Sequence, residues 1–274
     1  MLRFAVIGHP VAHSLSPCMH AANFAALGLE ATYGKCDVAP EALKDFIRDK
    51  AREGYRGLNV TIPHKRAVID CLDRADESVT RYGACNTLRF EPDGTIWGWN
   101  TDVIGFYDCL AAHGFTLPGR RVLVLGCGGA GRAIAAACRD AGASHVAVAA
   151  RHEANAVRCA GELDAASCVA VPLADATAVA READLVVNAT PVGLKMDEAS
   201  VLPREAFRPG QFVLDMIPTR HFPPTAAAAR AAGAEAVDGL EFLVGQGARS
   251  FEIWTGLKAD RAAMLAACRQ EAAR

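Results

Sequence analysis

The stretch "RVLVLGCGGAGRAIAAACRDAG", residues 121–142, decides the fold. A short apolar run ends at Gly126, and an alanine-rich segment with helical character follows. Between them Gly126, Gly128 and Gly131 spell G-x-G-x-x-G. That pattern carries meaning when a strand precedes it and a helix follows. The first glycine makes the tight turn, the second lets backbone approach a pyrophosphate, and the third allows close helix–strand packing. Amide groups at the start of the helix then point at the phosphates. A glycine-rich turn without a ligand is the alternative.

The end of the following strand should carry the choice of dinucleotide. An acidic residue there would bond a ribose 2′-hydroxyl and favour NAD. The chain instead reads "AARHE", with Arg151 and His152 ahead of the first acid, Glu153. A guanidinium matches a 2′-phosphate with two parallel hydrogen bonds, so NADP is favoured over NAD.

Outward from this unit, apolar runs near 167–171, 184–188 and 211–215 continue a strand–helix alternation. Runs with so few charges suit strands covered on both faces. Residues 1 to about 101 alternate in the same way, through "RFAVIG", 17–28, "ATYGKCDV", 40–53 and "GLNVTI". Asp93-Gly94 between two alternating segments marks a hairpin. A helix is expected from about 102 to 114, stopped by His113-Gly114 with Pro118 beyond. The chain turns helical again after "AEAVDGLEFL". The expected fold class is α/β in two domains: an N-terminal α/β substrate domain and a Rossmann-type doubly wound dinucleotide-binding domain.

Composition narrows the function classes. The chain has 274 residues, 51% apolar and 22% charged, with a net charge of −2. No basic excess points to nucleic acid, and no apolar run reaches the roughly 18 residues that span a bilayer. "MLRFAVIGHP" reads as a first strand, too short for a signal peptide. The ten cysteines form no C-x-x-C pair and sit mostly in apolar contexts. They read as free thiols of a cytoplasmic protein, and no structural metal is expected.

One segment, "NVTIPHK" (59–65), ends a strand-like run in a proline, a histidine and a lysine. Taken alone, Lys65 is an ordinary solvated charge. In company it is not. "GHPVAHSLSPCMH" (8–20), "NVTIPHK", "GACNT" (83–87), "NTD" with Gly105 (100–105), "GCGGAGRA" (126–133), "NATPVGL" (188–194) and "GQG…FEIWTG" (245–256) stand in one order. Through these motifs the sequence resembles the shikimate dehydrogenase family nearly end to end.

The resemblance implies a substrate domain, residues 1–101 completed by helices over 238–274, and an NADP domain over 102–237, with the active site in the cleft. It implies reversible oxidation of a ring hydroxyl of shikimate to 3-dehydroshikimate, with hydride passing to the nicotinamide. Lys65 and Asp102 fall on the catalytic pair. Ser14 and Ser16 would hold the substrate carboxylate, and Thr61, Asn86 and Gln246 its hydroxyls. Gly126, Gly128, Gly129, Ala130, Gly131, Arg151, Thr190 and Gly239 would meet the cofactor. His13 and His64 are read as structural or peripheral. The expected assembly is a monomer or homodimer.

Chemistry requires the same parts. Removing hydride from a secondary alcohol needs a group to take its proton, and a positive charge steadies the developing alkoxide. Burial lowers a lysine pKa and a carboxylate neighbour raises it, so proton transfer is assigned to the pair, with Lys65 contacting the substrate.

The pocket departs from the family pattern. "DMIPTRHFPP", with Ile217, lacks the usual tyrosine after Asp215. Phe242 or its neighbour replaces a methionine, and Gly245 stands where a larger residue is common. Ala21 and Ala150 replace asparagines. Shikimate, quinate or a related polyol acid are therefore the substrate readings. A quinate/shikimate paralogue using NAD and a non-catalytic sensor are the alternatives.

Overall fold

The computed structural model describes residues 1–163, 167–195, 198–219 and 221–273. The chain divides into two compact units, Met1–Gly105 with Leu243–Arg274, and Phe106–Phe242.

The first unit is built on a six-stranded mixed sheet of order β2-β1-β3-β5-β6-β4. Its strands are β1 (Leu2–Gly8), β2 (Ala31–Asp37), β3 (Gly57–Val60), β4 (Arg74–Ala75), β5 (Thr87–Phe90) and β6 (Ile96–Trp99). β1 pairs in parallel with β2 and β3, whereas β5 runs antiparallel to both β3 and β6. The central strand β1 ends in five consecutive buried residues, and the edge strand β2 alternates. A strand covered on both faces has no reason to alternate; an edge strand does.

Helices α1 (Ser16–Ala26), α2 (Leu43–Arg52) and α3 (Glu77–Tyr82) connect these strands. α2 buries Leu43 and Ile47, one helical turn apart. α3 starts where the Asp76 carboxylate accepts from Ser78 N and ends at left-handed Gly83, the usual chemistry at both helix ends. The β5–β6 turn is the expected Asp93-Gly94 hairpin: Gly94 has φ +89°, and Asp93 Oδ1 accepts from Thr95 N at 2.9 Å.

α4 (Asp102–Ala112) follows this sheet, and α9 (Gly239–Thr255) and α10 (Arg261–Ala272) close the chain. The division between the units falls inside α4 and α9. Asp102 at the head of α4 is hydrogen-bonded within the first unit. Gly239 at the head of α9 packs on residues 216–217 of the second. The end of α9 belongs to the first unit because Trp254 lies across Gly57. Its Nε1 donates to Leu88 O at 2.7 Å, and a Cβ at Gly57 would sit 2.1 Å from that nitrogen.

The second unit is a parallel six-stranded sheet of order β12-β11-β10-β7-β8-β9. Its strands are β7 (Arg121–Leu125), β8 (His145–Ala150), β9 (Cys168–Pro172), β10 (Leu185–Asn188), β11 (Phe212–Asp215) and β12 (Glu235–Val237). Numbered from β7, this is the 3-2-1-4-5-6 order of a doubly wound dinucleotide fold, with its switch point between β7 and β10. The helices are α5 (Gly129–Asp140), α6 (Glu153–Leu163), α7 (Ala176–Glu182) and α8 (Pro224–Ala231). Small side chains dominate the core, among them Ala147, Ala149, Ala176, Ala180, Ala226 and Ala229 with Leu123, Val186 and Val213. No helix among the described residues is long and apolar enough to cross a membrane.

Candidate active site

The first unit gathers the polar residues that lie along its sheet. Lys65 Nζ donates to Asp102 Oδ2 at 2.7 Å. The lysine side chain is 15% exposed and the carboxylate 2%, so the ammonium remains reachable by a ligand and the carboxylate is held from behind. Asp102 is the first residue of α4, where the helix dipole favours its charge. Its backbone N–H donates to Asn100 Oδ1, and its Oδ1 accepts from Asn86 Nδ2 at 2.9 Å.

Asn86 is the hub. Its amide also reaches Thr101 Oγ1 and Gln246 Oε1, while its Oδ1 accepts from Thr101 N at 2.7 Å. Gln246 is placed by α9, with Nε2 donating to Leu243 O. α9 approaches the head of α4 closely at Gly245, where a Cβ would lie 2.9 Å from Gly105 Cα. The small residue at 245 is thus explained by helix contact. One layer behind, Asn59 Nδ2 donates to Ser250 Oγ at 2.9 Å, and Ser250 and Thr87 hydroxyls meet at 2.7 Å. Such a network is rigid because each loss would leave a buried polar atom unpaired.

Ser14 and Ser16 flank the start of α1, where Ser14 Oγ accepts from Ser16 N. Ser16 is buried and Ser14 half-buried. Tyr33 Oη donates to Asn59 Oδ1 at 2.7 Å, and burial pushes its phenol above the ordinary range. His20 stacks on Tyr33 with ring centroids 4.3 Å apart; burial holds that imidazole neutral, down to about 3. Thr61 packs its methyl against Gly8, where a Cβ would come within 2.5 Å. His64 is buried with Nε2 against Val38 O, a structural position, and His13 is exposed.

In the second unit the three glycines have three separate reasons. Gly126 has φ +101°, and a Cβ there would press on Ala189 O at 2.9 Å. A Cβ on Gly131 would come 2.1 Å from Gly126 O. At Gly128 it would meet nothing within 4 Å, so backbone faces open space there, as a diphosphate requires. No side chain caps the start of α5, leaving the Gly129, Ala130 and Gly131 region at a helix start suited to an anion.

Arg151 is exposed one residue past β8. Thr190 follows β10, its hydroxyl and amide both donating to Asn188 Oδ1. Asn188 Nδ2 in turn donates to both oxygens of Asp215 at 3.1 Å. Burial pushes Asp215 up to about 7. Gly239 fits against the backbone of Met216 and Ile217, where a Cβ would lie 2.5 Å from Ile217 C. Gly126, Arg151 and Thr190 lie at the carboxyl ends of parallel strands, where ligands bind in such sheets.

Of the residues expected from sequence, Lys65, Asp102, Asn86 and Gln246 meet in one hydrogen-bonded group. Tyr33, Asn59, Thr87, Thr101 and Ser250 join the same network and escape a reading of the sequence. A signal for Asn59 and Thr87 exists: each is polar within a short apolar strand, and a buried polar group needs partners. Tyr33, Ser250 and Asp215 carry no comparable mark.

Matches to known proteins span the chain. Residues 6–88 match the family model described as shikimate dehydrogenase substrate binding domain. Residues 109–241 match shikimate / quinate 5-dehydrogenase, and residues 239–269 the shikimate 5'-dehydrogenase C-terminal domain. A shikimate dehydrogenase (NADP(+)) of Thermus thermophilus is 43% identical over 270 residues, covering 98% of each chain. The crystal structure of a Thermus thermophilus shikimate 5-dehydrogenase in complex with NADP(H) and shikimate superposes with a TM-score of 0.89 at 43% identity. That match covers 98% of this chain and 99% of the other. A quinate dehydrogenase of Corynebacterium glutamicum in complex with NAD gives a TM-score of 0.86 at 29% identity, covering 97% and 98%.

Proposed function

This chain belongs to the shikimate dehydrogenase family, and from that premise we propose that it is an NADP-dependent shikimate dehydrogenase. It interconverts shikimate and 3-dehydroshikimate. The observation that carries the assignment is the 2.7 Å contact between Lys65 Nζ and Asp102 Oδ2 beside Asn86 and Gln246. An ammonium and a carboxylate, one reachable and one enclosed, are what oxidation of an alcohol needs from a protein.

In the oxidising direction the substrate hydroxyl hydrogen-bonds to Lys65. Asp102 fixes the direction of that ammonium and balances its charge. As the carbinol hydrogen leaves with its electron pair, the hydroxyl proton is passed through the pair to water. Lys65 steadies oxygen charge in both directions. Bound NADP supplies the hydride acceptor. Ser14 and Ser16 hold the carboxylate; Thr61, Asn86 and Gln246 hold ring hydroxyls. A polyol lacking one of these groups leaves a buried amide or hydroxyl unpaired and is rejected.

The unit of residues 106–242 serves the dinucleotide, and residues 1–105 with 243–274 serve the acid. These bounds lie a few residues beyond the 101/102 and 237/238 expected from sequence, so that Asp102 joins the acid-binding unit and Gly239 the other. Gly126, Gly128, Gly129, Ala130 and Gly131 cradle the diphosphate, Arg151 takes the 2′-phosphate, and Thr190 and Gly239 border the nicotinamide end. The ten free thiols fit a reducing compartment, and we place the enzyme in the cytoplasm as a monomer or homodimer.

Quinate with NAD is the second reading. It is favoured by "DMIPTRHFPP", without the family tyrosine. Nicotinamide absorbance followed with shikimate and with quinate, each with NADP and NAD, tests both. The highest kcat/KM is expected for shikimate with NADP. A preference for quinate with NAD would select the second reading, and binding without any absorbance change would identify a sensor.

A further inference from the structure

Cys18 and Cys268 form a thiol pair that this chemistry does not use. Cys18 stands in the first turn of α1, two residues beyond Ser16, and is half-buried. Cys268 lies on α10 and is fully buried. The two helices pack along one another, and the Cys268 thiol is hydrogen-bonded to the Cys18 sulfur. In its thiol form Cys18 Sγ also donates to the carbonyl of Leu15 at 3.0 Å. Leu15 is the residue between Ser14 and Ser16.

This environment sets Cys18 apart from Cys36, Cys71, Cys85, Cys109 and Cys138. The hydrogen bond from Cys268, aided by the Met19 and Cys18 amides, favours the thiolate against burial and the Glu271 carboxylate. The balance brings Cys18 down to about 7. Burial pushes Cys36, Cys71, Cys85, Cys109 and Cys138 the other way. A half-exposed thiolate with a second thiol already in contact has both parts of a reversible oxidation site, an attacking sulfur and a resolving one.

We propose that Cys18 and Cys268 are a redox modification site that closes to an intramolecular disulfide in the presence of a peroxide. The Cys18 thiolate attacks one peroxide oxygen, giving the sulfenic acid and releasing hydroxide. The Cys268 sulfur then attacks the Cys18 sulfur, its proton leaves with the hydroxyl as water, and the disulfide forms. Two thiols and one hydrogen peroxide become one disulfide and two waters. The disulfide has no S–H, so the Leu15 carbonyl keeps only its bond from the Met19 amide, and the turn carrying Ser14 and Ser16 loosens. That last consequence rests on the proposed role of the two serines in holding the substrate; the cross-link does not.

The test treats the full chain with hydrogen peroxide in small molar excess, blocks remaining thiols by alkylation, and maps linked peptides by mass spectrometry. A Cys18–Cys268 peptide, two hydrogens lighter than its parts and released by dithiothreitol, is the expected first cross-link. The oxidised protein should show a shikimate KM raised about two- to tenfold, as for loss of one hydrogen bond, with NADP affinity unchanged. Cys268→Ser should leave Cys18 oxidised but unlinked, and Cys18→Ser should leave Cys268 unmodified. A different first cross-link, or Cys18 alkylating at pH 7 no faster than Cys36 and Cys71, would overturn the proposal. The cross-link is read by mass, so a chain inactive toward shikimate would count against the proposed function alone.

Discussion

Asp102→Asn is the substitution whose effect follows most directly from the geometry. The carboxylate accepts on both oxygens, from Lys65 Nζ at 2.7 Å and Asn86 Nδ2 at 2.9 Å. An amide of the same shape has one acceptor and one donor. With its oxygen toward Asn86, its NH₂ faces the ammonium; flipped, its NH₂ faces the Asn86 amide. Either orientation leaves one donor opposing another. At a site where the residue is 2% exposed, an unsatisfied charge-assisted bond costs about 1.5–3 kcal/mol. Lys65 also loses the anion that orients it for proton transfer, a role worth roughly 10²–10⁴ in rate. The expected result is a kcat lowered about 10²–10⁴-fold, with NADP affinity within about twofold of the parent. Steady-state kinetics with shikimate and NADP, alongside NADPH titration by nicotinamide fluorescence, give both numbers. A kcat within about threefold of the parent would mean that Asp102 does not orient Lys65 for proton transfer.

Three further outcomes are expected. Gly131→Ala places a Cβ 2.1 Å from Gly126 O. Overpacking against backbone costs about 1–3 kcal/mol, so the melting temperature should fall and NADP binding weaken by about tenfold or more. Arg151→Ser should raise the KM for NADP about tenfold or more while changing that for NAD little, because only the 2′-phosphate is lost; equal effects on both would remove Arg151 from the phosphate site. Asp215 is raised by burial to about 7, above its unfolded value, so the folded state binds more protons between about pH 4 and 7. Stability should therefore fall as pH rises through that window, by a few kcal/mol at most. Asp215→Asn should flatten the decline seen in thermal melts from about pH 4 to 8, and an unchanged slope would contradict the burial argument.

Much of the second unit is legible in the sequence because local rules and tertiary need agree there. A strand, three glycines at fixed spacing and a helix specify one turn, and each glycine meets a separate obstacle or opening in the structure. The Asp93-Gly94 hairpin and the parallel strands follow from turn chemistry and apolar runs for the same reason. The mixed first sheet is less legible. β4 has only two residues, Arg74–Ala75, both exposed, so neither length nor alternation marks it. Lys65 stands out only in the company of the other motifs, since one lysine after a strand reads as solvated. The pairing of Asn59 and Thr87 with Ser250 lies out of reach because the bonded partners are up to 191 positions apart along the chain. Nothing local ties Ser250 on a helix to Asn59 on a strand. Gly245 reads as a departure from the family pattern, and only its approach to Gly105 gives it a reason.

The role proposed for Lys65, held by Asp102, is to handle the proton of the reacting hydroxyl. Its most direct test is the single-turnover rate of Lys65→Ala with shikimate and saturating NADP, in protein whose NADP affinity and melting curve match the parent. The expected rate is lower by about a hundredfold or more, in line with loss of a positioned proton-transfer group. A rate within a few-fold of the parent would contradict it.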